Sequence, residues 1–324
     1  MGYLRLFLAW LVLLSHINWR VDGLNPGVFA VVIFYLLAGS VVTHLWHDVM
    51  TPGPGKLRRF YQDRFLRIYP MYAYAMLLTL LFLLYTGFGQ PQYQPLALFN
   101  NLIMIPLNYY MVIDSTVMTN PAWNLVPPAW SLAVEVQVYL LLPFLLLRPA
   151  WAGLAFVASL IVYMLANLSL IQPDYFGYRL LPGVLFIFLL GSILQRAQQQ
   201  PRWYGFLAFF WLAMVLTYVG FAWTQQFPEA YTRETLLGVI IGLPLIAVLN
   251  HWRPRLPGNG FAGQLSYGVF VLHFLVIWGL AHWQGHHFNS WQYALVVTAL
   301  TVLLALPGVL LLEKRINRWR FAHN

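Results

Sequence analysis

The sequence predicts an all-α fold, a polytopic membrane helix bundle of about ten transmembrane helices. Three observations predict it. Hydrophobic residues make up 60% of the 324 residues and charged residues only 8%. Apolar stretches near the ~20 residues that cross a bilayer recur along the whole chain. No stretch of soluble composition is long enough for a second domain, so residues 1–324 read as one membrane-embedded domain with no fused soluble domain. The chain has no cysteine, which excludes disulfides, thiolate nucleophiles and cysteine metal sites.

The spans fall at 4–19, 28–46, 68–88, 130–147, 150–171, 181–195, 203–223, 234–249, 261–283 and 290–312. The first has one early arginine and an apolar run. No small-x-small cleavage pattern follows and His16 interrupts the run, so it reads as a retained span and not a signal peptide. Between the third and fourth spans lies residues 89–129, containing LALFNNLIMIPLNYYMVI. Asn and Pro break its apolar pattern, and it reads as a re-entrant or interfacial piece.

Basic residues set the expected orientation. With the N-terminus inside, fifteen of the 18 Lys and Arg residues lie on the inner side, and only Arg20, Arg179 and Arg233 lie outside. Both termini are therefore expected in the cytoplasm. Basic inner loops against anionic lipid account for the net charge of +9 without nucleic acid.

Four places carry candidate chemistry. Arg5 and His16 are eleven residues apart in the first span, about three helical turns, so they share a face roughly 16 Å apart along the axis. Ionisable groups that deep in an apolar segment are costly and usually mark a site or pathway. Arg64 and Arg67, in KLRRFYQDRFLRIYP, are three apart on one face. Pro70 suits the first turn of a following helix, whose amides would favour an anion. A guanidinium pair can hold phosphate in a bidentate fashion, or the loop can simply meet lipid headgroups.

Glu135, in PAWSLAVEVQVYLLLP, sits about one turn into the fourth span. A carboxylate there needs a partner, and His16 matches it in depth. Such a pair fixes the imidazole tautomer and raises its basicity; a structural hydrogen bond within the bundle is the alternative. Trp130 and Tyr139 flank it as interface or packing residues. His273, mid-span in LSYGVFVLHFLVIW, is either a hydrogen-bonded bundle histidine or a contact to the reacting groups. His282, His286 and His287 cluster near an outer loop, and His44 with His47 near an inner helix end. No acidic ligand adjoins the outer set, and no metal is expected.

Taken together, these stretches resemble the acyltransferase-3 family of integral membrane acyltransferases, which O-acylate surface carbohydrates and related acceptors. LRLFLAWLVLLSH is similar to the family's Arg-ten-residues-His first helix, giving Arg5 and His16. RFLRIYPMYAY is similar to its Arg-x-x-Arg and Pro-Tyr, giving Arg64 and Arg67. WSLAVEVQVYLLLP is similar to its Trp-Ser-Leu-Ser-Val-Glu-Glu-Gln-Phe-Tyr signature, giving Glu135, and LSYGVFVLHF to its Leu-Ser-Tyr…Leu-His segment, giving His273. The chain departs from the pattern at Val136, in place of the second signature glutamate, at Ala38, in place of a serine, and at Val32, in place of an aspartate.

The resemblance implies a cytoplasmic acyl-CoA donor, most often acetyl-CoA, and a carbohydrate acceptor, in a multi-pass inner (plasma) membrane enzyme. On it, Arg5, Arg64 and Arg67 hold the donor. His16 is general base or carries the acetyl group covalently, Glu135 orients His16, and His273, Tyr139 and Trp130 contact substrate. A transporter or flippase of an anionic lipid-linked sugar is the competing class, since buried Arg, His and Glu also suit a substrate path. No paired broken helices in corresponding halves support it.

Overall fold

The computed structural model of the chain describes residues 1–224, 227, 231–252, 256–284, 291–313, 315–316 and 320. His286 and His287, and Arg253, Arg255, Lys314 and Arg318 of the fifteen inner-side basic residues, lie outside the described residues.

Eleven α-helices make up nearly all of the described structure. They are α1 (Gly2–His16), α2 (Pro26–His44), α3 (Lys56–Thr86), α4 (Pro95–Ile103), α5 (Ala129–Leu147), α6 (Pro149–Asn167), α7 (Leu181–Ala197), α8 (Arg202–Trp223), α9 (Thr232–Trp252), α10 (Asn259–Gln284) and α11 (Trp291–Pro307). Two-residue strands β1 (Met118–Thr119) and β2 (Ala122–Trp123) form a small antiparallel hairpin. Among the described residues nine helices are long and apolar enough to cross a membrane. The fold is thus an all-α polytopic bundle.

Three expectations need correcting. The first span was placed at 4–19, but α1 stops at His16 and is only 15 residues long. Asn18 adopts a left-handed conformation (φ 64°), and the Trp19 N–H turns back to the Leu14 carbonyl at 3.0 Å, which closes the helix end. The third span starts at Lys56 and not near 68, because Lys, Arg and Gln are good helix formers that extend it through the basic segment. Pro70 therefore lies inside α3 and does not open a helix, so no N-terminal anion site exists at Arg64 and Arg67. The Tyr267 hydroxyl donates to the Ile68 carbonyl at 2.8 Å beside this proline, the kind of side-chain support that lets a bundle tolerate proline in a span.

The chain divides into two compact units. The first comprises Met1–Trp19, Gln62–Ala133 and Pro257–Asn324; the second comprises Arg20–Tyr61 and Val134–Leu256.

In the first unit α1 lies along α10, and α10 along α11. The Asn259 side chain at the start of α10 accepts from the Gly2 N–H at 2.8 Å and the Tyr3 N–H at 3.3 Å, so it caps α1 from a neighbouring helix. The Tyr74 hydroxyl donates to Leu304 of α11 at 3.1 Å, and Trp10 Nε1 to Thr298 at 3.2 Å. The segment 89–129 folds around Asn101, which is fully buried. Its amide donates to Ala97 and Ser115 carbonyls at 2.8 Å, and its carbonyl accepts from Leu125 N–H at 2.9 Å. The asparagines that break the apolar pattern are thus what organises this segment.

In the second unit α2 is central, lying along both α7 and α9. A Cβ at Gly39 would collide with the Phe188 carbonyl, and one at Gly191 with the Leu36 carbonyl. Glycine at these two positions lets the backbones of α2 and α7 touch, the small-residue packing used between membrane helices. Thr43 donates to Ser192 at 2.7 Å across the same pair. Outward faces such as Trp151, Leu154 and Ile161 of α6 and Phe209, Leu212 and Leu216 of α8 are apolar and exposed, as lipid contact requires.

Candidate active site

His16 is the last residue of α1 and is exposed. Its partner on α10 is His273, which is completely buried. His16 Nδ1 lies 2.9 Å from His273 Nε2, and the rings lie 5.0 Å apart at 16°. His273 Nδ1 is 3.1 Å from the Val269 carbonyl, one turn earlier on the same helix. A carbonyl can only accept, so His273 Nδ1 carries a proton and its Nε2, in the neutral ring, is an acceptor. The bond between the rings is then donated by His16 Nδ1. Neutral His16 consequently carries its lone pair on Nε2.

Phe274 packs 4.7 Å from the His16 ring, and Trp123 of the β-hairpin packs 5.4 Å from Phe274. Trp123 is 39% exposed. The segment 89–129 therefore reaches the surroundings of His16.

The arginines of α3 belong to a second group in the same unit. Arg64 is buried, and its Nε donates to Asp63 at 3.0 Å. Arg320 donates to both oxygens of Asp63, at 2.9 and 3.0 Å. Burial lowers the Arg320 pKa from its ordinary value, and hydrogen bonding and charge from Asp63 oppose the shift. Arg67 donates to both oxygens of Glu313, at 3.3 Å each, and to the Gly263 carbonyl at 3.4 Å, and lies over the Tyr267 ring. Arg64 and Arg320 thus share Asp63, and Arg67 pairs with Glu313, so three guanidinium groups face two carboxylates. Sequence reasoning found Arg64 and Arg67 but missed Asp63, Glu313 and Arg320. The available signal was an acidic residue inside each of two basic or apolar segments, RRFYQDRFLR and LLLEKR.

Arg5 is half-buried on α1. Trp130 is half-buried in the first turn of α5. Glu135 and Tyr139, further along α5, belong to the second unit. Glu135 is half-buried, and the buried Tyr139 hydroxyl, one turn on, donates to its carboxylate. Sequence reasoning gave His16 a carboxylate partner in Glu135; the hydrogen bond found at its Nδ1 is to His273, which the sequence left as either a hydrogen-bonded bundle histidine or a contact to the reacting groups. Among the described residues no group of three or more His, Cys, Asp or Glu side chains is placed to hold a metal ion.

The model of the acyltransferase-3 family, described as an acyltransferase domain, matches residues 1–310. The chain belongs to the acyltransferase-3 family. It is a membrane acyltransferase, and its match runs through both compact units. An uncharacterized protein of Aquifex aeolicus (strain VF5) is 43% identical over 169 residues, 49% of this acyltransferase and 74% of the relative. No solved structure matches the chain.

Proposed function

We propose that this acyltransferase moves an acetyl group from cytoplasmic acetyl-CoA to a hydroxyl of an exported or surface carbohydrate, in the inner membrane and with both termini cytoplasmic. The observation that carries the reading is His16, an imidazole in an apolar helix, held at Nδ1 by a buried partner so that Nε2 carries the lone pair. In this reading Nε2 takes the proton of the acceptor hydroxyl as its oxygen attacks the thioester carbonyl. The tetrahedral intermediate collapses, the C–S bond breaks, and the imidazolium returns the proton to the departing thiolate. Glu135, the signature carboxylate, is the second residue we assign to the chemistry, with Tyr139 and Trp130 beside it in sequence as acceptor contacts.

The length of α1 supports this placement. Fifteen residues rise about 22 Å, short of the ~30 Å hydrocarbon thickness. A helix that starts at one membrane edge then ends within the bilayer, where a thioester and a hydroxyl can meet away from bulk water. Arg5 at the other end of α1, and the net positive charge of the Arg64, Arg67 and Arg320 group, suit the phosphates of the donor.

The test is transfer by purified protein in vesicles, with radiolabelled acetyl-CoA outside and a polysaccharide acceptor inside. Label on the carbohydrate that depends on His16 supports the reading. Transport of a lipid-linked sugar without acyl transfer contradicts it.

A further inference from the structure

We infer that His273 is a positioning residue that selects the reactive tautomer of His16, an inference that rests on His16 being the base. An imidazole in water can carry its proton on either nitrogen, and only the form with Nδ1 protonated presents a lone pair at Nε2. The pair is wired in one direction. The Val269 carbonyl fixes the proton of His273 on Nδ1, at 3.1 Å. That leaves His273 Nε2 as an acceptor, at 2.9 Å from His16 Nδ1. The His16 proton is therefore drawn to Nδ1. Helix α10 supplies the rigidity: His273 is completely buried among Val269, Phe270, Leu272 and Phe274, all buried themselves. His16, by contrast, is exposed at a helix end, and its ring is aligned by the contact with His273.

This arrangement does with a second imidazole what a carboxylate does when it orients a catalytic histidine. The difference is electrostatic. A neutral imidazole aligns the ring without adding a full negative charge beside it. No buried charge then has to be compensated when His16 is neutral.

The experiment uses the full-length protein in nanodiscs, labelled with ¹⁵N at histidine. The chain has nine histidines, and the His16 signals are identified as those lost in His16→Asn. The wild type is expected to show a protonated Nδ1 and an unprotonated Nε2 at His16. His273→Phe removes the acceptor and keeps a ring; it should move His16 toward the Nε2-protonated form and lower kcat about 100-fold, with the acetyl-CoA KM unchanged. His273→Gln restores an acceptor carbonyl; it should keep Nδ1 protonated and recover most of the rate. An Nε2-protonated His16 in the wild type overturns the inference, as does His273→Phe with the tautomer and kcat unchanged. Full activity in His16→Ala would instead overturn the reading of His16 as the base, so the two failures are distinguishable.

Discussion

Asp63 on α3 receives two hydrogen bonds from Arg320, 257 positions later in the chain, one at each carboxylate oxygen. Arg64 binds the same carboxylate. All three side chains are buried, so Asp63 is the counterion of two guanidinium groups out of water.

Removing that counterion leaves two buried charges without compensation, which costs about 3–5 kcal/mol when a buried pair is broken. Asp63→Ala is therefore predicted to lower the thermal unfolding temperature in detergent sharply. Asp63→Asn should fall between it and the wild type, because the amide carbonyl still accepts one bond. Equal stability of all three would contradict the network.

Arg67 has the looser attachment of the two α3 arginines, at 3.3 Å to each Glu313 oxygen. If it serves donor phosphates, Glu313 competes with them. Glu313→Gln should then lower the KM for acetyl-CoA, and Arg67→Ala should raise it about tenfold, the loss of one charge-assisted contact. Both are read from initial rates at varied donor with acceptor saturating. An unchanged KM in both variants would leave Arg67 a purely structural residue.

Helices α2 and α7 touch where Gly39 meets Phe188 and Gly191 meets Leu36. Gly191→Val should destabilise by about 1–3 kcal/mol, because backbone carbonyls cannot yield to the new methyl groups. The yield of monodisperse protein and its unfolding temperature check this. Gly205, which has open space around it, gives the control: Gly205→Ala should leave both unchanged.

Trp123 is exposed and joined to the His16 surroundings through Phe274. If the carbohydrate stacks there, Trp123→Ala should raise the acceptor KM about tenfold, roughly the worth of one aromatic contact, and leave the donor KM alone. An effect on kcat alone would argue for a packing role instead.

Much of this was legible in the sequence, and the reason is physical. A bilayer demands long apolar helices, so the span positions followed from hydropathy, with α5 to α11 starting and ending close to where composition placed them. The family likeness rested on ordered motifs and held over residues 1–310. The start of α3 was not legible, since charges look like a loop until their partners are known. Glu313 lies 246 positions from Arg67 and Arg320 257 positions from Asp63, and they meet only through folding. The His273 partner at His16 Nδ1 was not legible for the same reason. A carboxylate is the commoner partner of a catalytic imidazole, and nothing local in LSYGVFVLHF announces that His273 faces His16. The asparagines of 89–129 were read as breakers, whereas Asn101 is the buried post around which that segment winds.

In the proposed reaction the His16 imidazole performs the acyl transfer. Its most direct measurement is the acetyl-CoA-dependent labelling of carbohydrate by His16→Ala beside wild type, with folding of the variant checked by its unfolding temperature. The account predicts a folded variant whose rate falls at least about 100-fold. A folded His16→Ala protein that acetylates its acceptor at the wild-type rate would contradict it.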